Sequence, residues 1–134
     1  MSLVVNSHEV GKWICERLGG LYSPIGSSSI GLERNGELVA GVLYDNFVGR
    51  CISMHVAAKG KNWLNKAFIF TCFDYPFNQL KCAKVLGLVP ASNAVARRFD
   101  EHLGFSLEHV ITDGAKDGDL CIYSMTRDAC RYLR

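Results

Sequence analysis

The sequence predicts an α/β domain built on a mixed sheet of about six strands, antiparallel except for a central parallel pair and flanked by helices. Short apolar runs bounded by Gly, Pro, Asn and Asp recur along the chain and indicate the strands. Three longer segments carry apolar residues at helical spacing. A strand–helix–strand order in the second half predicts two parallel strands in one sheet. All 134 residues are expected to form a single domain, because a chain of this length builds one core.

The first half of the chain predicts one helix followed by a meander of three strands. Apolar residues fall at helical spacing across 10–18, and Gly19 with Gly20 ends the helix. Three strand runs follow, at 30–34, 37–47 and 50–57. Between the first two strands stands Asn35-Gly36, the dipeptide that most strongly indicates a two-residue hairpin turn. We therefore expect both of these residues to have positive φ angles.

A long apolar helix is predicted across 64–75. Its residues Ile69, Phe70 and Phe73 make more than one side apolar, which indicates burial on more than one face. Pro76 is expected to end or kink this helix, because proline lacks the N–H that a helix interior needs. Such an apolar helix could also form the interface of a homodimer, and a homodimer is a possible assembly.

A strand at 85–89 leads into the next predicted helix. Ser92 is well placed to cap the first free N–H groups of this helix. Its apolar face is formed by Val95, Ala96, Phe99 and Leu103. Gly104 stands where a left-handed C-terminal cap is needed, and Phe105 restarts a strand.

The chain is predicted to end in two strands and a short helix. The strands fall at 106–111 and 120–125, and a turn rich in Gly and Asp joins them at 113–118. A last short helix is expected within 127–133.

Charge and cysteine usage exclude several classes of protein. The net charge is only +2, so neither nucleic acid nor a membrane surface is an expected partner. No apolar run approaches the roughly 20 residues that span a bilayer, and no signal peptide is expected. None of the six cysteines is spaced as C-x-x-C, and the His and Cys residues form no evident metal-ligand set. We expect free thiols, no bound metal and a reducing, cytoplasmic location.

Four residues around the helix that follows the 85–89 strand carry a family resemblance. Asn93, Ala96, Gly104 and Phe105 match, in register, the pattern Asn, two residues, Ala, seven residues, Gly-Phe. This pattern resembles the C-terminal half of the GNAT-type N-acetyltransferases, and the order of elements extends the resemblance over nearly the whole chain. It implies acetyl-CoA as cosubstrate and a small-molecule or protein amine as acceptor. In this family the amine attacks the thioester carbonyl directly.

The resemblance places the pyrophosphate of CoA at the start of the apolar helix, where unpaired N–H groups favour an anion. The corresponding residues here are Lys59, Gly60, Lys61, Asn62, Trp63 and Leu64. Lys59 can stand for the basic first position of the family's loop. The two small positions fall on Asn62 and Leu64, which is a departure. A plain solvated turn is the other interpretation of these residues.

The strand at 50–57 is the one whose backbone pairs with the pantetheine arm in the family. Met54 and Val56 are therefore expected to contact the cofactor through their backbone, and Asn93 and Phe99 from the neighbouring helix. Asn93 could equally be a simple helix cap. His55 is the candidate general base, because histidine titrates near neutral pH. A structural role for His55 stays open.

Carboxylates that could serve as the base instead are not singled out by the sequence. The family often has Glu or Asp near positions 52 and 53, where this chain has Ile52 and Ser53. Nearby carboxylates on the predicted hairpin are Glu33, Glu37 and Asp45, and any of them could act through water.

The family's usual general acid is absent. That acid is a Tyr seven residues after the helix-start Asn, and this chain has Asp100 at that position. Tyr123 is the nearest substitute. We expect the CoA thiolate to leave without help from Asp100, although burial could instead raise the pKa of this carboxyl. The missing acid and the altered phosphate loop also allow an alternative, a non-catalytic GNAT-like module that binds CoA or is structural.

Overall fold

The computed structural model describes residues 2–5, 7–60 and 65–134 and, within them, places three α-helices on a seven-stranded sheet. The strands are β1 (Ser2–Val5), β2 (Ser28–Arg34), β3 (Glu37–Asp45), β4 (Cys51–Ala58), β5 (Lys84–Pro90), β6 (Ser106–Ala115) and β7 (Gly118–Thr126). The helices are α1 (His8–Leu18), α2 (Lys66–Asp74) and α3 (Ala94–Leu103).

The sheet has the predicted mixed topology. Its strand order is β1-β2-β3-β4-β5-β7-β6, and every neighbouring pair is antiparallel except β4 with β5. The fold class is therefore confirmed, with one more strand than expected. The additional strand, β1, pairs with β2 at the edge of the sheet. It was missed because four residues are too few to establish an alternating pattern.

The helices pack on opposite faces of the sheet. On one face, Val10 and Ile14 of α1 contact a small core that includes Leu43 and Ala57. The neighbours of Leu43 and Ala57 in sequence point to the other face, because side chains alternate along a strand. That face carries α2, α3 and the larger core, whose most deeply buried side chains include Tyr44, Phe68, Phe73, Phe77, Val85 and Tyr123.

The hairpin between β2 and β3 has the predicted two-residue turn. Asn35 has φ of 53° and Gly36 has φ of 78°, and Arg34 pairs directly with Glu37 across the turn. Two positive φ angles are what a type I′ turn requires. The expectation for this turn is confirmed.

Proline ends the apolar helix as expected. Helix α2 stops at Asp74, and Pro76 lies in the single π-helical turn Tyr75–Gln79 that follows. At its other end, the Asn65 side chain accepts a hydrogen bond of 2.8 Å from the Phe68 N–H and caps α2.

Helix α3 differs from the sequence prediction at its first turn. Asn93, and not Ser92, is the N-cap, since the Asn93 side chain accepts a hydrogen bond of 3.1 Å from the Ala96 N–H. Val95 is exposed and does not join the buried face. Gly104 is the predicted left-handed C-cap, with φ of 112°.

The C-terminal hairpin is longer than predicted. Strand β6 continues to Ala115 and β7 begins at Gly118, so the turn is shorter than the expected 113–118. Irregular pairing between Ile111 and Ala115 accommodates the Gly- and Asp-rich segment within β6. The last helix is only the 3-10 turn Arg131–Leu133.

All six cysteines are free thiols in the structure, and five of them are buried. Burial raises the pKa of the Cys72 thiol to about 12, so this thiol packs as a small apolar group. In the part of the chain that the structure describes, no helix is long and apolar enough to cross a membrane.

Candidate active site between the parallel strands

The parallel strands β4 and β5 diverge after three paired positions. Cys51–Ser53 pair with Lys84–Leu86, and no further pairing follows. Strand β4 nevertheless continues to Ala58, and β5 continues to Pro90. The two strands therefore enclose a wedge-shaped gap in the middle of the sheet.

Backbone hydrogen-bonding groups line this gap. The Lys59 N–H donates to the Val39 carbonyl at 2.8 Å, which fixes which residues of β4 bond to β3. Hydrogen-bonded and non-hydrogen-bonded pairs alternate along an antiparallel ladder, so the backbone groups of Met54 and Val56 face β5. Beyond the last parallel pair, Ser53 with Leu86, the C=O of Met54 and both backbone groups of Val56 point into the gap. The same alternation between β5 and β7 directs the backbone of Leu88 into the gap from the other side. An extended, amide-bearing ligand could bond to both strands.

The gap opens into a cleft of about 330 Å³. Its walls come from β4, β5, the first turns of α3 and the end of α1. The residues singled out from the sequence that line it are Met54, His55, Val56, Asn93, Phe99 and Asp100. The cleft therefore brings together the candidate base, the backbone positions and the α3 residues that were expected to share one site.

The candidate base has a carboxylate partner. The Nε2 atom of His55 lies 2.8 Å from Oδ1 of Asp45, and both side chains are partly exposed. Asp45 is the last residue of β3 and pairs with Ser53, the last β4 residue that pairs with β5. Glu33 and Glu37 lie at the opposite end of the β2–β3 hairpin. Of the three carboxylates that the sequence left open, Asp45 is the one that contacts His55.

The hydrogen bond to Asp45 fixes the tautomer of His55. A carboxylate can only accept, so the Nε2–H of His55 donates to it. A neutral His55 then carries its lone pair on Nδ1. This arrangement lets the imidazole accept a proton while the Asp45 carboxylate stabilises the resulting charge.

Several solved structures with the same architecture are spermidine N-acetyltransferases, and another is a probable acetyltransferase. No protein-family model and no curated protein matches the sequence. A single-residue variant of spermidine N-acetyltransferase SpeG from Vibrio cholerae superposes with a TM-score of 0.77 at 15% identity, over 100% of this chain and 98% of that one. A chimera of SpeG with hSSAT gives 0.73 at 14% identity, with 100% of both chains covered. A probable acetyltransferase gives 0.65 at 21% identity, over 78% of this chain and 63% of that one. The chain has the GNAT N-acetyltransferase fold.

Within this GNAT fold, Asn93 is both the cap of α3 and part of the cleft. Its Oδ1 accepts from the Ala96 N–H, and the residue lines the cleft beside Phe99. Capping uses the side-chain oxygen, so the amide N–H₂ group has donor capacity for a ligand. The two interpretations of Asn93 are therefore compatible.

Asp100 occupies the position of the tyrosine acid of the GNAT pattern, and it lines the cleft. Burial, together with the charge of neighbouring Glu101, raises the pKa of the Asp100 carboxyl to about 6. Gly87 of β5 makes room for it, because a Cβ at Gly87 would stand 2.6 Å from the Asp100 Oδ2 atom. The rise in the pKa of the Asp100 carboxyl is therefore the one that burial was expected to allow.

Tyr123 is held away from the cleft. Its hydroxyl donates to Oε2 of Glu101 at 2.8 Å and accepts from Nε of Arg97 at 3.1 Å. Burial raises the pKa of the Tyr123 hydroxyl, and the residue is not among those that line the cleft. Tyr123 therefore stabilises α3 on the sheet, and it does not replace the missing tyrosine acid.

The predicted phosphate loop is only partly within the described residues. Gly60 has φ of 80°, a left-handed conformation that suits glycine. Lys59 is exposed, with its Nζ atom 3.9 Å from Oε2 of Glu37. The expected contacts of Lys61, Asn62, Trp63 and Leu64 lie outside the described residues.

Gly87 is a site residue that was not expected from the sequence. A glycine inside a strand pattern often marks a close approach of another group. Here that group is the Asp100 carboxyl, and together with Leu88 this glycine forms the β5 side of the cleft. Its position within the apolar run at 85–89 was the available signal.

Proposed function

We propose that this protein is an acetyl-CoA-dependent N-acetyltransferase that acts on a primary amine. The observation that carries the proposal is the position of the His55–Asp45 pair on the gap between β4 and β5. A base paired with a carboxylate adjoins a slot lined by free backbone groups. A purely structural module would need neither feature.

Acetyl-CoA would bind with its pantetheine arm in the gap. The arm carries two amides, and the backbone groups of Met54, Val56 and Leu88 are the complementary donors and acceptors. Asn93 and Phe99 would cover the arm from α3. The proposed pyrophosphate site remains at Lys59 to Leu64, on the approach to α2.

The reaction would begin with loss of a proton from the acceptor. An ammonium at the cleft gives one proton to Nδ1 of His55, directly or through a water, and Asp45 stabilises the imidazolium. The neutral nitrogen attacks the thioester carbonyl and forms the new C–N bond. The C–S bond breaks, and the CoA thiolate takes up the second proton that leaves nitrogen. The products are the acetamide and CoA.

The backbone would stabilise the negative charge that develops on the carbonyl oxygen. The Val56 N–H points into the gap and is the proposed donor. This assignment needs no particular side chain, so the chain mainly supplies positioning and a base.

Thermal unfolding with and without acetyl-CoA tests cofactor binding, because a ligand of the native state raises the melting temperature. We expect acetyl-CoA to raise it. Incubation with acetyl-CoA and a mixture of primary amines should then release the CoA thiol and yield acetylated amine, detected by mass spectrometry. Stabilisation without turnover would favour a non-catalytic module that binds CoA. No stabilisation would contradict the acetyltransferase and would leave a structural module.

A further inference from the structure

A second cavity adjoins the base on the side away from the cofactor cleft. It has a volume of about 560 Å³ and lies between the α1–β2 loop and the residues that end β3. Asp45 lines this cavity, while its partner His55 lines the cofactor cleft. The hydrogen-bonded pair therefore lies between the two cavities, and a molecule in the second one would meet Asp45, the partner of the base.

Exposed apolar side chains surround the second cavity. Leu21 is 99% exposed, Ile25 is 89% exposed and Phe47 is 49% exposed, and all three line it. Scattered exposed apolar residues are ordinary on a protein surface. Three of them around one concave site, beside a candidate catalytic base, indicate an apolar ligand.

The second cavity has very little charge. Asp45 is the only charged residue among the described residues that line it. The sequence has no charged residue between Arg17 and Glu33, so the whole α1–β2 loop is neutral. An adjoining cavity of about 170 Å³ shares Ser27 and Leu43 with it, and no Asp, Glu, Lys or Arg is among the described residues that line this adjoining cavity.

We propose that this cavity is the acceptor site and that it takes a small primary amine with one positive charge and an apolar body. The proposal rests on the function proposed above. The Asp45 charge draws the ammonium to the edge of the cavity that meets His55. The apolar body covers Leu21, Ile25 and Phe47. A polyamine fits less well, because its second ammonium would lose water without gaining a carboxylate.

Equilibrium binding tests this acceptor class independently of turnover. Calorimetric titrations of 2-phenylethylamine and of spermidine would use the full chain saturated with CoA, which cannot react. We expect 2-phenylethylamine to bind at least tenfold more tightly, a difference of about 1.4 kcal/mol. Equal affinities, or tighter binding of spermidine, would overturn the proposal.

Two matched variants locate the site. Ile25→Glu places a carboxylate in the cavity, so it should weaken binding of 2-phenylethylamine by about tenfold and strengthen binding of spermidine. Leu107→Glu changes an apolar residue that is 46% exposed on β6, far from the cavity along the sheet, and should change neither affinity. Unchanged binding in the Ile25 variant, with its fold verified by circular dichroism, would overturn the assignment.

A third binding measurement distinguishes a small amine from a polypeptide acceptor that carries the same ammonium and apolar group. A peptide with N-terminal Phe presents an ammonium next to an apolar ring. Binding of this peptide without binding of 2-phenylethylamine would overturn the assignment to a small amine. Measurement of CoA thiol release separates the two proposals. Turnover of spermidine alone would contradict the proposed acceptor class and support the acetyltransferase. Binding of 2-phenylethylamine without turnover of any amine would support the proposed ligand class of the cavity and contradict the acetyltransferase.

Discussion

The Nε2 atom of His55 lies 2.8 Å from Oδ1 of Asp45, and this contact couples β3 and β4 near the point where β4 separates from β5. His55 faces the cleft between β4 and β5, and Asp45 faces the cavity under the α1–β2 loop. The pair thus stands where a cosubstrate from one side and an amine from the other would meet.

Asp45→Asn should lower kcat by about 100-fold, the lower end of what a positioned proton acceptor supplies. An Asn amide no longer fixes the tautomer of His55 or stabilises its charged form. The dissociation constant of acetyl-CoA should stay unchanged, since Asp45 is not among the residues that line the cleft between β4 and β5. Steady-state kinetics and calorimetry measure the two quantities, with Asp113→Asn on exposed β6 as control. A normal kcat in the Asp45 variant would remove Asp45 from the catalytic machinery.

Gly87→Ala should narrow the cleft. The new Cβ would stand 2.6 Å from Oδ2 of Asp100, so the carboxyl must move. We expect acetyl-CoA to bind about tenfold more weakly and the free energy of unfolding to fall by about 1 kcal/mol. Gly20→Ala is the matched control, because a Cβ there meets nothing within 4 Å. Equal losses in the two variants would show that the effect is not specific to the cleft.

Asp100→Asn should stabilise the protein at neutral and alkaline pH. The pKa of Asp100 is raised to about 6 from an ordinary 3.8, so the folded state binds more protons than the unfolded state between these values. The carboxyl's contribution to stability is therefore lost as the pH rises from about 4 through 6. We expect the free energy of unfolding of the variant to exceed that of wild type by about 1 kcal/mol at pH 8. This is less than the full pKa shift would give, because water reaches the half-buried carboxyl. The difference should become smaller towards pH 4. Urea unfolding at several pH values measures it, and a loss of stability at pH 8 would contradict the sign.

The same variant tests whether Asp100 is the acid. With a pKa of about 6, most of the carboxyl is ionised at pH 7 and is a poor proton donor. We expect Asp100→Asn to lose less than about tenfold in kcat, below the 10²–10⁴-fold that acid catalysis supplies. A thousandfold loss with acetyl-CoA binding intact would make Asp100 catalytic.

Gly36→Val should lower the free energy of unfolding by about 1 kcal/mol or more. Gly36 has φ of 78°, which a β-branched residue tolerates poorly, while the space around its Cβ position is open. Gly36→Asn should cost less, because Asn adopts this conformation more readily. Denaturant unfolding of both variants separates backbone strain from crowding, and equal stabilities would count against strain.

Most of the sheet could be predicted because its signals are local. The Asn35-Gly36 turn, the apolar run at 85–89 and the Gly104 cap each depend on a few adjacent residues. Strand β1 was missed, and α3 begins one residue later than Ser92 capping would require. Four residues give no periodicity, and Ser and Asn compete almost equally as caps.

The partner of His55 could not be predicted, because it depends on the register between β3 and β4. Leu43 pairs with His55 and Asp45 pairs with Ser53, which places Asp45 diagonally opposite the imidazole. The connection at 46–50 sets this register, and a slip of one residue would have moved one side chain to the other face of the sheet. The width of the β4–β5 gap is equally non-local, because it depends on where pairing stops.

Release of the CoA thiol by wild type and by His55→Gln, with a saturating primary amine, is the most direct measurement of acetyl transfer at this site. Wild type should release thiol only when acetyl-CoA and the amine are both present. At saturating acetyl-CoA, His55→Gln should be slower by about 100-fold or more, and His109→Gln on exposed β6 should match wild type. Equal rates in wild type and His55→Gln, or no amine-dependent release in wild type, would contradict acetyl transfer at the His55–Asp45 pair.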